Sequence, residues 1–406
     1  MRAPKLDSNA SSFGFSRVLA RPLHWFPFPC RGPPVHSSLV CSSCSRPSSS
    51  WPQYDGGGSS KRTGVQVPGG GVLGAGGAGV PRAGVPGAGC RGAPLLVAIL
   101  GATATGKSRL ALDLAERHGG EIISCDSTAV YRYFDIGTDK VPVSERRGVP
   151  HHLIDIVEPT ETYSAAQFAR DAARVVRDIT ERGKLPILVG GTGFYYRALT
   201  RGLFEGAGRD DALRARLHAM SARRRTPFLH RMVARLDPLS ATRIMPRDEK
   251  RLVRALEVYF LTGQPLSAHF AETRSALPGY RILALALRLP SALVAERVTR
   301  RVNEQFARGV VGEVRRLLAA AVPEEAHPFS GLVYRQILEL LHGVRDEEAT
   351  RALIVRENKR YARRQLIWFR KEPNLHWLDG AGEWPTTLAA AELALDTWRL
   401  AHGTDS

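Results

Sequence analysis

The stretch GATATGKS, residues 101–108, limits most strongly how this chain can fold, because it matches the phosphate-loop pattern G-x-x-x-x-G-K-[ST] without a gap. Such a loop needs a buried strand before it and a helix after it, so that backbone N–H groups and the positive helix end face one anion. The apolar run PLLVAIL precedes it, and SRLALDLAERHGG, which is helical with a glycine stop, follows. The loop is therefore predicted to bind a phosphate. The pattern leaves open whether that phosphate belongs to ATP or to a different diphosphate.

The chain around the loop alternates between strands and helices. EIISCDS and KLPILVGGTG, at residues 121–127 and 184–193, are predicted strands, residues 163–183 are a predicted helix, and RILALALRLP at residues 281–290 is a further strand. This alternation is typical of a parallel sheet with helices on both faces. We therefore predict an α/β fold, a phosphate-loop doubly wound parallel sheet with an inserted helical domain.

Three regions follow from the composition. Residues 94–206 and 281–406 are predicted to form the α/β catalytic core with C-terminal helices, and the Arg-rich residues 207–280 a helical insertion without strands. Residues 1–93 are rich in Ser, Gly and Pro and cannot bury enough apolar surface to offset their chain entropy, so a disordered basic leader is predicted. An organelle transit peptide and an over-extended start of translation explain this leader equally well.

The charge of the chain favours a polyanionic partner. There are 57 Lys and Arg against 39 Asp and Glu, a net charge of +18, and residues beyond 93 still carry 47 basic and 37 acidic side chains. The segment KRYARRQLIWFRK, residues 359–371, interleaves cations with aromatic rings, which suits the phosphate backbone and unstacked bases of RNA. No apolar run is long enough to cross a bilayer, so no membrane partner is expected.

Several side chains near the loop could carry chemistry. Lys107 can neutralise a phosphate, Ser108 is the usual Mg²⁺ ligand of this pattern, and the hydroxyl groups of Thr103 and Thr105 can donate further hydrogen bonds. Asp126 ends an apolar strand at the sheet edge where ligands bind. It could accept a proton from a nucleophile, hold Mg²⁺ through water, or cap its own turn.

Seven segments together resemble the bacterial tRNA dimethylallyltransferase (isopentenyltransferase) family, from about residue 95 to residue 377. They are LVAILGATATGKS, EIISCDSTAVYRYFDIGTDK, VPHHLIDIVEPTETYSAAQF, PILVGGTGFYYRAL, RLVRALEVYFLTGQPLS, VYRQILELL and KRYARRQLIWFR. The resemblance implies transfer of the dimethylallyl group from dimethylallyl diphosphate to N6 of the adenine 3′-adjacent to the tRNA anticodon, with release of diphosphate. It also implies Mg²⁺ as cofactor, the tRNA anticodon stem-loop as partner, a cytoplasmic location and a monomer.

The resemblance carries residue roles with it. Asp126 would accept the N6 proton or orient the amine, Thr103 would bond the bridging or leaving oxygen, and Arg335 matches a diphosphate-contacting arginine; Ser108 would bind Mg²⁺. The implied diphosphate-binding residues are Gly101, Ala102, Thr103, Ala104, Thr105, Gly106, Lys107 and Ser108. The implied tRNA-binding residues are Asp126, Ser127, Thr128, Ala129, Thr192, Arg214, Lys250, Arg251, Leu252, Val253, Arg254, Arg363, Arg364 and Gln365.

This chain departs from the family pattern at a few positions. Ala129 stands where Gln or Leu is common, Val333 replaces a usual Gly, and Asn358 and Lys359 replace a usual Thr-Arg pair. These departures bear on substrate affinity more than on reaction type.

Three other functions compete with this interpretation. A small-molecule kinase would hold ATP in the same loop, but it does not explain the blocks DSTAVYR and PHHLID. A prenyltransferase acting on free adenine nucleotides would share the loop and Asp126, but would not need the basic insertion. A non-catalytic RNA-binding nucleotide switch would need a specificity motif such as N-K-x-D, which the sequence lacks.

Overall fold

The computed structural model describes residues 93–204, 208–224 and 227–403. The segment predicted to be a disordered leader lies outside these residues except for Ala93. Within the described ranges, no helix combines the length and the apolar character that crossing a bilayer requires.

Six strands of the described chain form one sheet in which every pairing is parallel, in the order β3-β2-β4-β1-β5-β6. The strands are β1 (Leu95–Gly101), β2 (Gly120–Cys125), β3 (His151–His152), β4 (Leu185–Gly190), β5 (Arg281–Arg288) and β6 (Leu375–Asp379). The predicted doubly wound parallel sheet is confirmed. The sequence patterns predict β1, β2, β4 and β5, whereas the two short edge strands β3 and β6 have no recognisable pattern of their own.

Thirteen α-helices are described. They are α1 (Lys107–His118), α2 (Ala165–Glu181), α3 (Gly193–Arg201), α4 (Asp211–Arg223), α5 (Phe228–Leu236), α6 (Pro238–Arg243), α7 (Glu249–Thr262), α8 (Leu266–Glu272), α9 (Ser291–Ala307), α10 (Val310–Ala319), α11 (Tyr334–Leu341), α12 (Glu347–Phe369) and α13 (Pro385–His402). Helices α4 to α8 lie between α3 and β5 in the chain and have a hydrophobic cluster of their own, to which Leu217, Val233 and Leu256 belong.

The central strand β1 is apolar throughout because both faces of the sheet are covered. Leu96 and Leu100 belong to a cluster with Phe168 of α2, while Val97 and Ile99 belong to a second cluster with helices α1 and α13. Successive side chains of a strand point to opposite faces, so one run fills two cores. Because β1, β2 and β4 run parallel, their carboxyl ends lie at one edge of the sheet, together with the candidate functional residues.

Candidate active site at the carboxyl ends of the strands

A cavity of about 420 Å³ lies at this edge. The phosphate loop, the turn after β2, the turn after β4, the loop before β3, and helices α9 and α12 all contribute to its wall. Its polar and charged lining includes Thr103, Lys107, Ser108, Asp126, Ser127, Thr128, Asp139, Lys140, Arg301, Gln305, Asn358, Tyr361, Arg364 and Gln365. Side chains from distant parts of the sequence therefore face one shared space.

The backbone of the phosphate loop is shaped for an anion. Gly106 has φ 84°, and a Cβ there would come within 2.7 Å of the backbone nitrogen of Gly382, so glycine is required. Gly106 also begins α1 without any side-chain cap, which leaves the first N–H groups of the helix available to an anion.

The residues of the loop divide into lining and buried positions. Thr103, Lys107 and Ser108 line the cavity, whereas Gly101, Ala102 and Thr105 are buried. The Thr105 hydroxyl donates to the Ala102 carbonyl oxygen at 2.9 Å. This corrects the prediction that the Thr105 hydroxyl can bond a phosphate, because its proton is already used inside the loop. Ala104 and Gly106 are partly exposed but do not belong to the lining.

Lys107 has a perturbed charge. Its Nζ donates to the Ala102 carbonyl oxygen at 2.6 Å. Burial and the nearby cation Arg301 lower the pKa of Lys107 to about 7, against an opposing effect of Asp126. An anion bound in the loop would restore the preference for the charged form.

Asp126 has one of the three roles that the sequence left open, the cap of its own turn, and it also lines the cavity. Its Oδ1 accepts hydrogen bonds from the backbone N–H groups of Thr128 and Ala129, at 2.8 and 3.2 Å. The carboxylate therefore caps its own turn and is held rigidly. The same side chain lines the cavity, where its second oxygen is free to meet a substrate.

Two arginines of α9 lie at the loop, and the sequence analysis missed both. Arg301 donates from Nη1 to the Thr103 hydroxyl at 2.7 Å, and its Nε is paired with the carboxylate of Asp139. Arg297 donates from Nε to the Ala104 carbonyl oxygen at 2.7 Å. Their spacing of four residues puts them on one helix face, and this was the signal available in the sequence.

Arg335 is not brought to the cavity. Val333 lines it, but Arg335 is exposed at the start of α11 and is not a lining residue, whereas its neighbours Tyr334 and Gln336 are buried. The helix turns by about 100° per residue, so adjacent side chains point in different directions. The diphosphate contact assigned to Arg335 stays a prediction, and Arg301 is the arginine that lies beside Thr103.

The arginines of the insertion have a buried partner. Arg214 donates to both carboxylate oxygens of Glu257, at 2.8 and 2.9 Å, and Arg254 donates to one of them at 2.7 Å. The Glu257 side chain is fully buried. Burial alone would raise its pKa, but the hydrogen bonds from both arginines and from the Asp210 N–H outweigh burial and lower the pKa of Glu257 to about 2.

The predicted RNA contacts along α7 separate by helix face. Lys250 and Arg251 are exposed, but Leu252 and Val253 are only 2% and 3% exposed and pack in the hydrophobic cluster of the insertion. The prediction that Leu252 and Val253 contact RNA is corrected, because a five-residue stretch of helix must turn part of its surface inward.

Helix α12 presents cations next to a buried amide. Arg363 and Arg364 are exposed, and no ion pair in the described chain joins either of them to a carboxylate. Gln365 is buried instead, lines the cavity and bonds to the backbone of Thr103 and Gly191, so its contact with RNA stays a prediction. Thr192 lies outside the lining, and its hydroxyl accepts from the Ser127 N–H at 3.3 Å.

The fold and the cavity together define a class of protein. The parallel sheet carries the phosphate loop after β1. The carboxylate of Asp126 follows β2, which is separated from β1 by β4, and the basic helix α12 forms the opposite wall of the cavity. This is the arrangement of a phosphate-loop α/β protein, a class in which ligands bind at the carboxyl ends of the strands.

The chain belongs to the IPP transferase family, whose model matches residues 129–372. Two similar proteins are tRNA dimethylallyltransferases. That of Solibacter usitatus (strain Ellin6076) is 48% identical over 290 residues, covering 71% of this chain and 94% of that protein. That of Geobacter metallireducens (strain ATCC 53774 / DSM 7210 / GS-15) is 45% identical over 294 residues, covering 72% and 95%.

Two solved structures share the fold. The tRNA isopentenylpyrophosphate transferase of Bacillus halodurans aligns with a TM-score of 0.56 and 34% identity, covering 76% of this chain and 99% of that one. A eukaryotic dimethylallyltransferase acting on tRNA aligns with a TM-score of 0.65 and 26% identity, covering 76% and 80%.

Proposed function

We propose that this protein is a tRNA dimethylallyltransferase, which moves the dimethylallyl group of dimethylallyl diphosphate to N6 of the adenine 3′-adjacent to the anticodon. One observation carries the proposal: a single cavity is lined by the phosphate loop, by the carboxylate of Asp126 and by the exposed Arg364 of α12. Relatives named tRNA dimethylallyltransferase, and the neighbour described as acting on tRNA, support the same reaction.

Departure of diphosphate is the step that the loop would assist. The allylic C–O bond breaks, and its electron pair leaves with the diphosphate, where negative charge accumulates. Lys107, Arg301 and the N–H groups at the start of α1 offer positive charge in fixed positions, which stabilises such a leaving group. The Thr103 hydroxyl accepts from Arg301 and keeps its own proton to donate to an oxygen of the diphosphate.

Formation of the new bond would involve Asp126. Adenine N6 attacks the freed allylic carbon, a C–N bond forms, and N6 loses a proton. The cavity-facing oxygen of Asp126 would orient the amine and accept this proton, while Thr128 and Ala129 hold the other oxygen in place. The adenine must leave its base stack to enter the cavity, as in other enzymes that modify a base.

The side chains around the loop fit Mg²⁺ as a substrate-bound ion. Among the described residues, no group of three or more His, Cys, Asp or Glu could hold a metal by itself. Ser108 lines the cavity at the start of α1, and Mg²⁺ typically takes one or two protein ligands together with phosphate oxygens and water. We propose that Ser108 binds Mg²⁺, which would neutralise charge on the diphosphate.

The RNA would lie against exposed cations. Arg363 and Arg364 of α12, with Lys250 of the insertion, are exposed and have no ion pair with a carboxylate in the described chain. Arg251 is exposed but pairs with Asp248, and Arg214 and Arg254 shape the insertion through Glu257. A reaction on tRNA would place the enzyme in the cytoplasm. We propose that it acts as a monomer.

A transfer assay tests the proposal. Full-length protein, Mg²⁺ and labelled dimethylallyl diphosphate are mixed with an unmodified anticodon stem-loop RNA, and with the same RNA carrying guanine at the target position. A parallel reaction contains ATP in place of the prenyl donor.

We expect label on the adenine-containing RNA alone, without any need for ATP. ATP hydrolysis, or transfer of its phosphate to a small molecule, with no label on RNA, would instead assign the loop to a kinase. Label on free adenine nucleotides in preference to RNA would contradict the tRNA substrate.

A further inference from the structure

Gln365 connects two separate strand ends. It is 7% exposed near the C-terminal end of α12, although the two preceding residues are exposed. Its Oε1 accepts the backbone N–H of Thr103 at 2.8 Å, and its Nε2 donates to the Gly191 carbonyl oxygen at 2.9 Å. Thr103 belongs to the loop after β1, and Gly191 belongs to the turn after β4.

The orientation of this amide is dictated by its two partners. Thr103 offers a donor and Gly191 an acceptor, so only one of the two amide orientations satisfies both. The approach is close, since a Cβ on Gly191 would lie 2.3 Å from Nε2 of Gln365. The glutamine amide can therefore approach this turn only because residue 191 is a glycine without a Cβ.

Each hydrogen bond of the Gln365 amide connects to one half of the site, the phosphate loop or the turn that holds Asp126. At the loop, the Thr103 N–H is already engaged, so the Thr103 hydroxyl is the group that meets the cavity. At the turn after β4, Thr192 follows Gly191 and accepts the N–H of Ser127, the residue directly after Asp126. The path from Gln365 thus leads to the phosphate loop in one direction and to the carboxylate turn in the other.

We propose that Gln365 is a positioning residue that fixes the separation between the phosphate loop and the carboxylate of Asp126. The kinetic part of this inference rests on the proposed function. Both halves of the site keep their own ligand-binding groups without the amide, so its loss misaligns the bound substrates rather than releasing them. A misplacement of about 1 Å can reduce a rate by about 100-fold, so turnover should be the sensitive quantity.

Two substitutions separate the two bonds. Gln365→Leu removes both, and Gln365→Glu keeps an acceptor for Thr103 but places a carboxylate against the Gly191 carbonyl. Gln336→Leu is the matched control, because Gln336 is another buried helical glutamine, 1% exposed, whose amide atoms have no hydrogen-bond partner in the described chain. Losing an unbonded amide should be neutral or slightly stabilising.

We expect both Gln365 variants to lower kcat by about 10- to 100-fold, and Gln365→Leu, which adds no charge, to keep KM for both substrates within about threefold of the parent. Gln336→Leu should leave all of these values unchanged. A folded Gln365→Leu protein with kcat within about twofold of the parent would overturn the proposal. Weakened binding of the prenyl diphosphate at unchanged kcat would also overturn it, by making Gln365 a binding contact.

Hydrogen–deuterium exchange supplies a readout that needs no turnover. In the full-length protein, Gln365→Leu should accelerate exchange in peptides covering residues 101–108, because the Thr103 N–H loses its acceptor. Peptides from α13 should not change, and neither should any peptide in Gln336→Leu. Unchanged exchange at residues 101–108 would refute the positioning role of Gln365 even in a fully active enzyme. Absence of transfer by the parent protein would refute the proposed function, and the exchange result would then decide whether Gln365 holds the loop.

Discussion

Cationic side chains are abundant both in the cleft around the phosphate loop and in the helical insertion, but their partners differ. In the cleft, Lys107 and Arg364 face the cavity, and no ion pair in the described chain joins them to a carboxylate. In the insertion, Arg214 and Arg254 both donate to the buried carboxylate of Glu257. Lys107 and Arg364 therefore keep their charges available to an anionic ligand, whereas Arg214 and Arg254 share the one buried carboxylate of Glu257.

The two regions also differ in the pKa of their key groups, Lys107 in the cleft and Glu257 in the insertion. Burial and a neighbouring cation lower the pKa of Lys107 to about 7, so its charge is easily changed near neutral pH. The pKa of Glu257 is lowered to about 2, so its charge is fixed over the physiological range. Pairing with a carboxylate does not by itself separate the two regions, because Arg301 lines the cavity while its Nε is paired with Asp139. The difference lies in Lys107 and Arg364, which have no such partner in the described chain.

The largest expected effect comes from Asp126 in the cleft. Asp126→Asn preserves an oxygen for the bonds from Thr128 and Ala129 but removes the base. We expect kcat to fall by about 10²- to 10⁴-fold, with RNA affinity within about twofold of the parent. The measurement is single-turnover transfer together with filter binding of the stem-loop RNA. An equal loss of turnover and RNA affinity would mean that Asp126 serves binding.

A change in the insertion should act on stability instead. Glu257→Gln leaves two arginines facing a neutral amide, and we expect a loss of about 2–3 kcal/mol in the free energy of unfolding, at the lower end for a broken buried pair because both arginines are partly exposed. Urea unfolding at pH 7 measures it. The exposed pair of Arg351 with Glu347 gives the matched control, and Glu347→Gln should cost less than about 1 kcal/mol.

Protonation of Glu257 is expected to lower the free energy of unfolding at acidic pH. The pKa of Glu257 is lower in the folded state than its ordinary value of 4.5, so its contribution to stability is complete above about pH 4.5 and is lost as pH falls towards about 2. The parent should lose stability over this window more steeply than Glu257→Gln. Parallel unfolding curves for the two proteins would contradict the fixed charge of Glu257.

Lys107 should make prenyl-diphosphate binding depend on pH near neutrality. Below about pH 7 the amine is charged and attracts the diphosphate; above it, affinity should fall by up to about tenfold per pH unit until the pKa of the complex is reached. Diphosphate itself titrates in this range, so Lys107→Arg, which stays charged, is the control. A parent and a Lys107→Arg protein with the same pH profile of Kd would contradict a titrating Lys107.

Much of this architecture could be predicted because local patterns determine it. The runs that became β1, β2, β4 and β5 are mostly buried on both faces, so each has an apolar stretch that is easy to recognise, although β2 includes Glu121 and β5 has an arginine at each end. The phosphate loop fixes its own backbone through Gly106, and Asp126 directly follows an apolar strand, so both could be assigned to one edge of the sheet.

The partners of individual side chains could not be predicted, because they depend on contacts between residues far apart in the sequence. Nothing local to Arg214 shows that its partner, Glu257, is 43 residues away and buried, and nothing local to Gln365 shows that its amide meets Thr103, 262 residues away. A stretch such as Lys250 to Arg254 was predicted as one RNA-binding unit, but tertiary packing divides it by helix face. The family resemblance therefore assigned this stretch to RNA as a whole, but it could not tell which of its side chains are exposed.

The smallest effect is also the most direct comparison between the two regions. Arg364 of α12 and Arg214 of α4 are both arginines on helices that the sequence assigns to RNA. Each phosphate contact adds about 0.7–0.9 to the slope of log affinity against log salt, because it releases bound counterions. Arg364→Ala should therefore reduce the slope by about one contact, while Arg214→Ala should leave it unchanged and lower the stability of the insertion instead. The measurement is stem-loop affinity over a series of salt concentrations, with urea unfolding of both variants. If Arg214→Ala lowers the slope as much as Arg364→Ala does, Arg214 contacts an RNA phosphate despite its pair with Glu257. The two regions would then not differ in whether their arginines bind RNA.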